Sequence, residues 1–272
     1  MRINTNISAV NAGKLLKAND KSLAKSMEKL SSGRSINSAG DNAAGLAISE
    51  KLKAQMTALN RAASNAYDGI SFIKTAEGGL SETHAVLQDM REAAVQASNG
   101  TATNEDRAQL QQKVSQLNAD ITRIADTTEF NTQKVLDGSF AKDGFNIEMS
   151  GVNGASTLKV ENMSAEALGV ANLDLSTPEG AAAAIEAIDK AINTVSSQRA
   201  ELGSMQDRLE YSINNLGVAE QNIISAGSQI ADLDMAEEMS EYTRQNILQQ
   251  ANVAMLAQSN KQQAANFLKL LQ

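Results

Sequence analysis

The sequence predicts a mainly α-helical protein: an elongated, coiled-coil-like helix bundle with a small β-hairpin region, flanked at both ends by amphipathic helices outside the bundle's register. Three observations lead there. Of 272 residues, 42% are hydrophobic but only 3% aromatic, with no Trp and one Pro, so burial rests on Ala, Leu, Ile, Val and Met, a palette suited to long helices. Apolar residues recur every seven positions over long stretches, and that recurrence loses its phase near each terminus. The length suffices for one or two ordinary domains.

The N-terminal segment carries a short stripe, Ile3, Ile7 and Val10, then Leu23, Met27 and Leu30. "LSSGRSINSAGDNAAGLAISEKL" follows, a polar stretch with Gly33, Gly40 and Gly45 that reads as a hinge into the bundle. From Leu52 the seam Met56, Leu59, Ala63, Ala66, Ile70 and Ile73 marks a first bundle helix over about 45–99. Gly78 and Gly79 are expected to weaken and bend it, and Asn99-Gly100 to stop it. A second helix, about 103–128, starts at Thr103 with Asp106 completing a capping box, and runs along Leu110, Val114, Leu117, Ile121 and Ile124.

A hairpin region, about 130–165, is read from Phe145, Ile147 and Met149 alternating toward the Asn153-Gly154 turn signal, then Leu158 and Val160. The third helix, about 178–233, is the most regular: Ile188, Val195, Leu202, Leu209, Leu216, Ile223 and Ile230 lie seven apart, with Thr177-Pro178 as cap and first turn. The heptad fails at Glu237, and Met235, Met239, Tyr242, Leu248, Met255 and the closing "NFLKLL" with Leu268 open a new phase. Met side chains suit a stripe that must fit several neighbours. Amphipathic helices draw their stability from packing, so both ends require partners, either each other or further copies of the chain. A chain whose two ends are its adhesive parts reads as a polymer subunit.

Charge supports pairing of the ends. Residues 1–34 hold seven Lys or Arg against two acids (+5), 35–230 fourteen against twenty-five (−11), and 231–272 three against five (−2). The basic arm lacks aromatics to stack on bases and the chain as a whole is acidic, which argues against nucleic acid. Asp234, Glu237, Glu238 and Glu241 share a face expected to meet Lys14, Lys17 or Lys21 rather than a metal. With no Cys, His84 as the sole histidine and no phosphate-loop pattern, no cofactor, metal site or enzyme activity is predicted. No apolar run reaches the length of a secretory signal core or a membrane span, so no membrane insertion is expected, and export would use another route.

The ordered set "RINTNISAVNA", the hinge stretch, "NAYDGISFIKTAEGGLSETHAVLQDMREAAVQASNGT", "TTEFNTQKVLDGS", "AINTVSSQRAELGSMQDRLEYSINNL" and "AEEMSEYTRQNILQQANVAMLAQSN" resembles bacterial flagellins, in a short form without large outer domains. The resemblance implies that 1–44 and 234–272 pair as the core of a filament, while 45–233 form an outer rod with lateral contacts. It implies motility as the role, unfolded export by the type III apparatus to an extracellular filament, and as partners an export chaperone on the C-terminal helix, the filament cap and hook-junction proteins. The alternative within the same axial structure is a hook–filament junction or cap-type protein, which would resemble the family less through the outer segment. The resemblance also implies an innate immune Toll-like receptor as partner through Gln88, Asp89, Arg91, Glu92 and Ala93. Asp89 and Ala93 stand where strongly binding members have Arg and Leu, so weak activation is expected. Two further departures are the absence of a Pro before the closing leucines and "SGRSIN" in the hinge, where Leu-Arg before Ile is more usual.

Overall fold

A computed structural model of the chain describes residues 6–142, 144–149 and 155–270. In order along the chain these form α1 (Ile7–Ser32), α2 (Ala39–Ser98), α3 (Asn104–Thr127), β1 (Glu129–Phe130), β2 (Gln133–Lys134), β3 (Phe145–Glu148), β4 (Ala155–Leu158), α4 (Pro178–Ala231) and α5 (Met235–Leu270). The chain divides into two compact units, Thr57–Glu220 and Met1–Met56 with Gln221–Gln272.

The 57–220 unit has a filled core. Ile70, Phe72, Ile73, Leu80, Leu87 and Met90 of α2, Val114 and Ile121 of α3, and Ile188, Val195, Leu202 and Leu209 of α4 are buried in one cluster with Val135, Leu136 and Val160 to Leu175 of the connecting segment. Ile70, Ile73, Val114, Ile121, Ile188, Val195, Leu202 and Leu209 are predicted heptad positions, whereas Phe72, Met90, Val135 and Leu136 are not, and the predicted Leu52, Met56, Leu59 and Ala63 are only half-buried. Burial fades beyond Leu209, with Leu216 only half-buried.

Local chemistry sets the helix ends. Thr103 caps α3 by accepting from the Asp106 amide at 3.2 Å, and the Asp106 carboxylate accepts from the Thr103 amide at 3.0 Å, the capping box read in the sequence. Thr177 likewise accepts from Gly180 N–H ahead of α4. Arg107, 6% exposed, closes the end of α2: Nε donates at 2.9 Å to Ala97 O, a carbonyl the helix terminus leaves open, and Nη2 donates at 3.2 Å to Asn99 O, which also accepts from Ala102 N–H. The expected bend at Gly78 and Gly79 does not occur, since α2 continues through them as regular helix. Gly79 instead makes room: a Cβ there would stand 2.7 Å from Leu136 Cδ1 and 2.8 Å from Thr128 Oγ1.

The β region holds two antiparallel pairs rather than one. β1–β2 turns at Asn131 and Thr132, both with positive φ (50° and 65°), the twist that a two-residue hairpin requires. β3–β4 pairs Phe145 with Leu158 and Ile147 with Ser156; Met149 and Val160 fall just past the strands, and the Asn153-Gly154 turn lies outside the described residues. Phe72 anchors this region to α2, stacked on Phe145 with ring centroids 4.4 Å apart and edge-on to Phe130 and Phe140. Two glutamines hold the connecting backbone. Gln198 donates to Lys159 O at 3.1 Å, and Gln111 both donates to Leu173 O and accepts from Leu175 N–H.

Candidate assembly surface

The other unit is built differently. α1 begins at Asn6, whose Oδ1 accepts from Ala9 N–H, and stops at Gly33, which takes a left-handed φ of 69° and donates to Lys29 O. α5 begins at Asp234, whose carboxylate accepts from the Ala236 and Glu237 amides at 2.9 and 3.1 Å. The two helices pack antiparallel: Asn6 reaches Ser259, Asn19 Nδ2 donates to Gln245 O at 2.7 Å, Gln249 donates to Asp20 at 2.8 Å, and Lys29 lies 3.6 Å from Glu238.

Their shared seam has a polar central column, with Leu16 and Leu256 half-buried beside it. Down its centre run Glu238, Gln245, Asn252 and Ser259 on α5, seven apart, against Ala12, Asn19 and Ser26 on α1. Ser26 donates to Gln245 Oε1 at 3.3 Å, and Ser26, Gln245 and Asn252 are among the buried polar residues of the chain. The apolar residues that the sequence singled out for packing point elsewhere. Ile7, Val10, Met27, Met235, Met239, Leu248 and Met255 are 47–55% exposed, while Leu23, Leu30 and Tyr242 are half-buried along the flanks. Leu268 belongs to the last turns of α5, and Ile3 lies outside the described residues. Among the described residues, every large exposed hydrophobic except Tyr67, Val95, Tyr211 and Val218 belongs to this unit, and every buried one except Ala12, Ile36 and Ala231 belongs to the other.

The connections to α1 and α5 lie side by side. Ser35 N–H donates to Ala231 O at 2.8 Å and Leu233 N–H to Gly33 O at 3.1 Å, forming a short bridge at Arg34 and Asp232. Of the three hinge glycines, Gly33 alone has positive φ. Gly45 matters for space, because a Cβ there would approach Ile36 Cδ1 to 2.6 Å, and Gly40 sits just ahead of a break in α2 at Asn42, whose φ of −160° and ψ of 98° are not helical. Asp41 fixes this junction by accepting from Ser38 and Asn37 N–H and pairing with Lys25 Nζ of α1 at 2.5 Å. The Lys25 hydrogen bond and the Ser38 amide hold its carboxyl well below the usual carboxylate range.

The acidic group at 234–241 does not meet Lys14, Lys17 or Lys21 within the chain. Antiparallel packing carries it to the far end of α1, where Glu238 faces Lys29, while Glu241 bonds Arg244 and is thereby held in its charged form. The three lysines are exposed and have no ion pair among the described residues. In the other unit Gln88, Asp89, Arg91 and Glu92 are exposed, with Arg91 2.7 Å from Asp189. Ala93 is 1% exposed and belongs to the core, so it is not a surface anchor. His84 is half-buried and its Nε2 lies 2.9 Å from the Gln88 amide nitrogen. Among the described residues no group of three His, Cys, Asp or Glu could hold a metal ion, and no helix is long and apolar enough to cross a membrane.

A folded helical unit, joined to a helix pair that buries a polar column between its members and leaves large apolar side chains such as Ile7, Val10, Leu248 and Met255 exposed, defines a protein of the self-assembling structural class. The model of the bacterial flagellin N-terminal helical region matches residues 3–141, and that of the C-terminal helical region matches residues 185–271. The chain is 45% identical to a flagellin of Bacillus subtilis, with both proteins covered completely, and 48% identical to one of Halalkalibacterium halodurans over 97% of this chain and 98% of that one. The fold is shared with a solved structure described as a flagellar hook-associated protein from Vibrio parahaemolyticus, at a TM-score of 0.61 and 15% identity, covering 71% of this chain and all of that one. The chain belongs to the bacterial flagellin family and is a structural subunit of the flagellar filament, the reading favoured over a junction or cap protein.

Proposed function

We propose that α1 and α5 polymerise as the core of the filament, that the 57–220 unit makes lateral contacts outside it, and that the assembled chain works outside the cell in motility rather than catalysis. One observation carries this: the central column between α1 and α5 is polar, and Ile7, Val10, Met27, Met235, Met239, Leu248 and Met255 remain exposed on helices that need packing partners. The same stripe on α5 is the surface for an export chaperone before assembly, and filament ends offer it to cap and hook-junction proteins. Exposed Gln88, Asp89, Arg91 and Glu92 would be the face seen by an innate immune receptor, with Asp89 opposing any partner built for Arg.

Electron microscopy of purified chain with short filament seeds tests the central reading, beside a version lacking residues 1–34 and 235–272. Long uniform filaments from the intact chain alone are expected. Equal elongation by the truncated version would overturn the assignment of α1 and α5 to the core.

A further inference from the structure

The outward face of α1 has a pattern of its own. Ile7, Lys14 and Lys21 lie seven apart, with Val10 and Lys17 between them, so a single exposed stripe is apolar at its start and basic further along. One flank running into α5 carries the complementary pattern at the same spacing: Asp234, the capping residue, Glu241, which also pairs with Arg244 one turn on, then Leu248 and Met255, acidic first and then apolar, with Glu237 beside it. Inside one chain these stripes cannot meet. Asp20 stands across from Gln249 and Gly13 from Leu256, so Lys14 is level with the region of Met255, about 20 Å along the axis from Glu241.

We propose that the α1 stripe of one copy packs antiparallel on the α5 flank of a second copy, with Lys21 at Asp234, Lys14 at Glu241 and Ile7 at Leu248. The inference rests on polymerisation through α1 and α5, and specifies the register between neighbours. Complementarity selects that register. A slip of one heptad in one direction sets Lys14 against Leu248, and in the other sets Ile7 against Glu241; each leaves a charge facing an apolar side chain, which is costly on desolvation. Ion pairing of this kind aligns the partners, and the apolar half of the stripe supplies the burial.

The chain has no Cys, so an introduced pair reports this contact without background. In filaments of K14C/E241C, oxidation is expected to give a ladder of covalent oligomers on a denaturing gel. K29C/E238C, which pairs within one chain, is expected to give monomer bands only. In parallel, K14E should raise the critical concentration for seeded elongation at least tenfold, and K14E/E241K should restore it. Monomer bands from oxidised K14C/E241C filaments, or a double variant no better than K14E, overturn this register. Failure of the unaltered chain to elongate seeds would instead overturn the polymerisation reading itself.

Discussion

Replacing Ile7, Val10, Leu248 and Met255 together by Ser removes apolar surface that the folded chain leaves in water. Each of these side chains is about half exposed, between 47% and 55%. Fully burying such a residue is worth roughly 1.5–3 kcal/mol, so covering the exposed half in a filament contributes about 1 kcal/mol per side chain and about 4 kcal/mol for all four. Each 1.4 kcal/mol or so is a tenfold change in an equilibrium constant, so the critical concentration for elongation should rise on the order of a thousandfold. The core of the 57–220 unit contains none of the four, and its thermal unfolding, followed by circular dichroism, should be unchanged. Light scattering over a concentration series with seeds measures the first quantity. A critical concentration within threefold of the unaltered chain would refute the reasoning, because it would mean that these side chains stay wet in the polymer.

Arg107→Ala should lower the urea-unfolding free energy by about 3 kcal/mol, since a buried cation's bonds to the Ala97 and Asn99 carbonyls are lost together and the end of α2 is left uncapped. Ala93→Leu should destabilise the 57–220 unit by about 1–3 kcal/mol through overpacking, whereas Asp89→Arg should leave stability unchanged and raise receptor activation in a reporter-cell assay. For Asp41, whose folded pKa is depressed, the stabilisation of the hinge is present in full above the ordinary value of 3.8 and lost as pH falls below it toward the folded value. Hydrogen exchange at the Ser38 amide should therefore accelerate in strong acid in the unaltered chain, and already at neutral pH in Asp41→Asn.

The heptad columns, the Thr103–Asp106 box and the β3–β4 hairpin were legible because each is a local pattern with a fixed spacing. Arg107 was not, since its partners are carbonyls of a preceding helix, and nothing in the sequence distinguishes a buried capping arginine from a surface one. Gln198 sits in a heptad column where an apolar residue is expected, and that break was the available signal for a side chain pinning the Lys159 backbone. The β1–β2 turn lacks the usual glycine, with Asn131 and Thr132 taking positive φ themselves. The largest gap concerned α1 and α5. Apolar periodicity identified which residues need burial, and charge gave the pairing of the ends, but neither showed that the ends would meet through Asn19, Ser26, Gln245 and Asn252. A polar column seven residues apart looks like an exposed face until its partner is in place.

That arrangement has a physical logic for an assembling subunit. Had α1 and α5 met through Ile7, Val10, Met239 and Leu248, each chain would satisfy its own apolar surface and have little left to drive association. Net hydrogen-bond contributions are only about 1 kcal/mol each, so the polar seam holds the pair weakly. Its directional partners nevertheless define one antiparallel alignment, the use for which buried polar groups at coiled-coil positions are best attested. Alignment and affinity are thereby assigned to different faces of the same helices. The seam sets how α1 lies on α5, and on the proposed assembly the outward residues would gain their burial when neighbouring copies arrive, which would make polymerisation the completion of a fold that the single chain leaves unfinished.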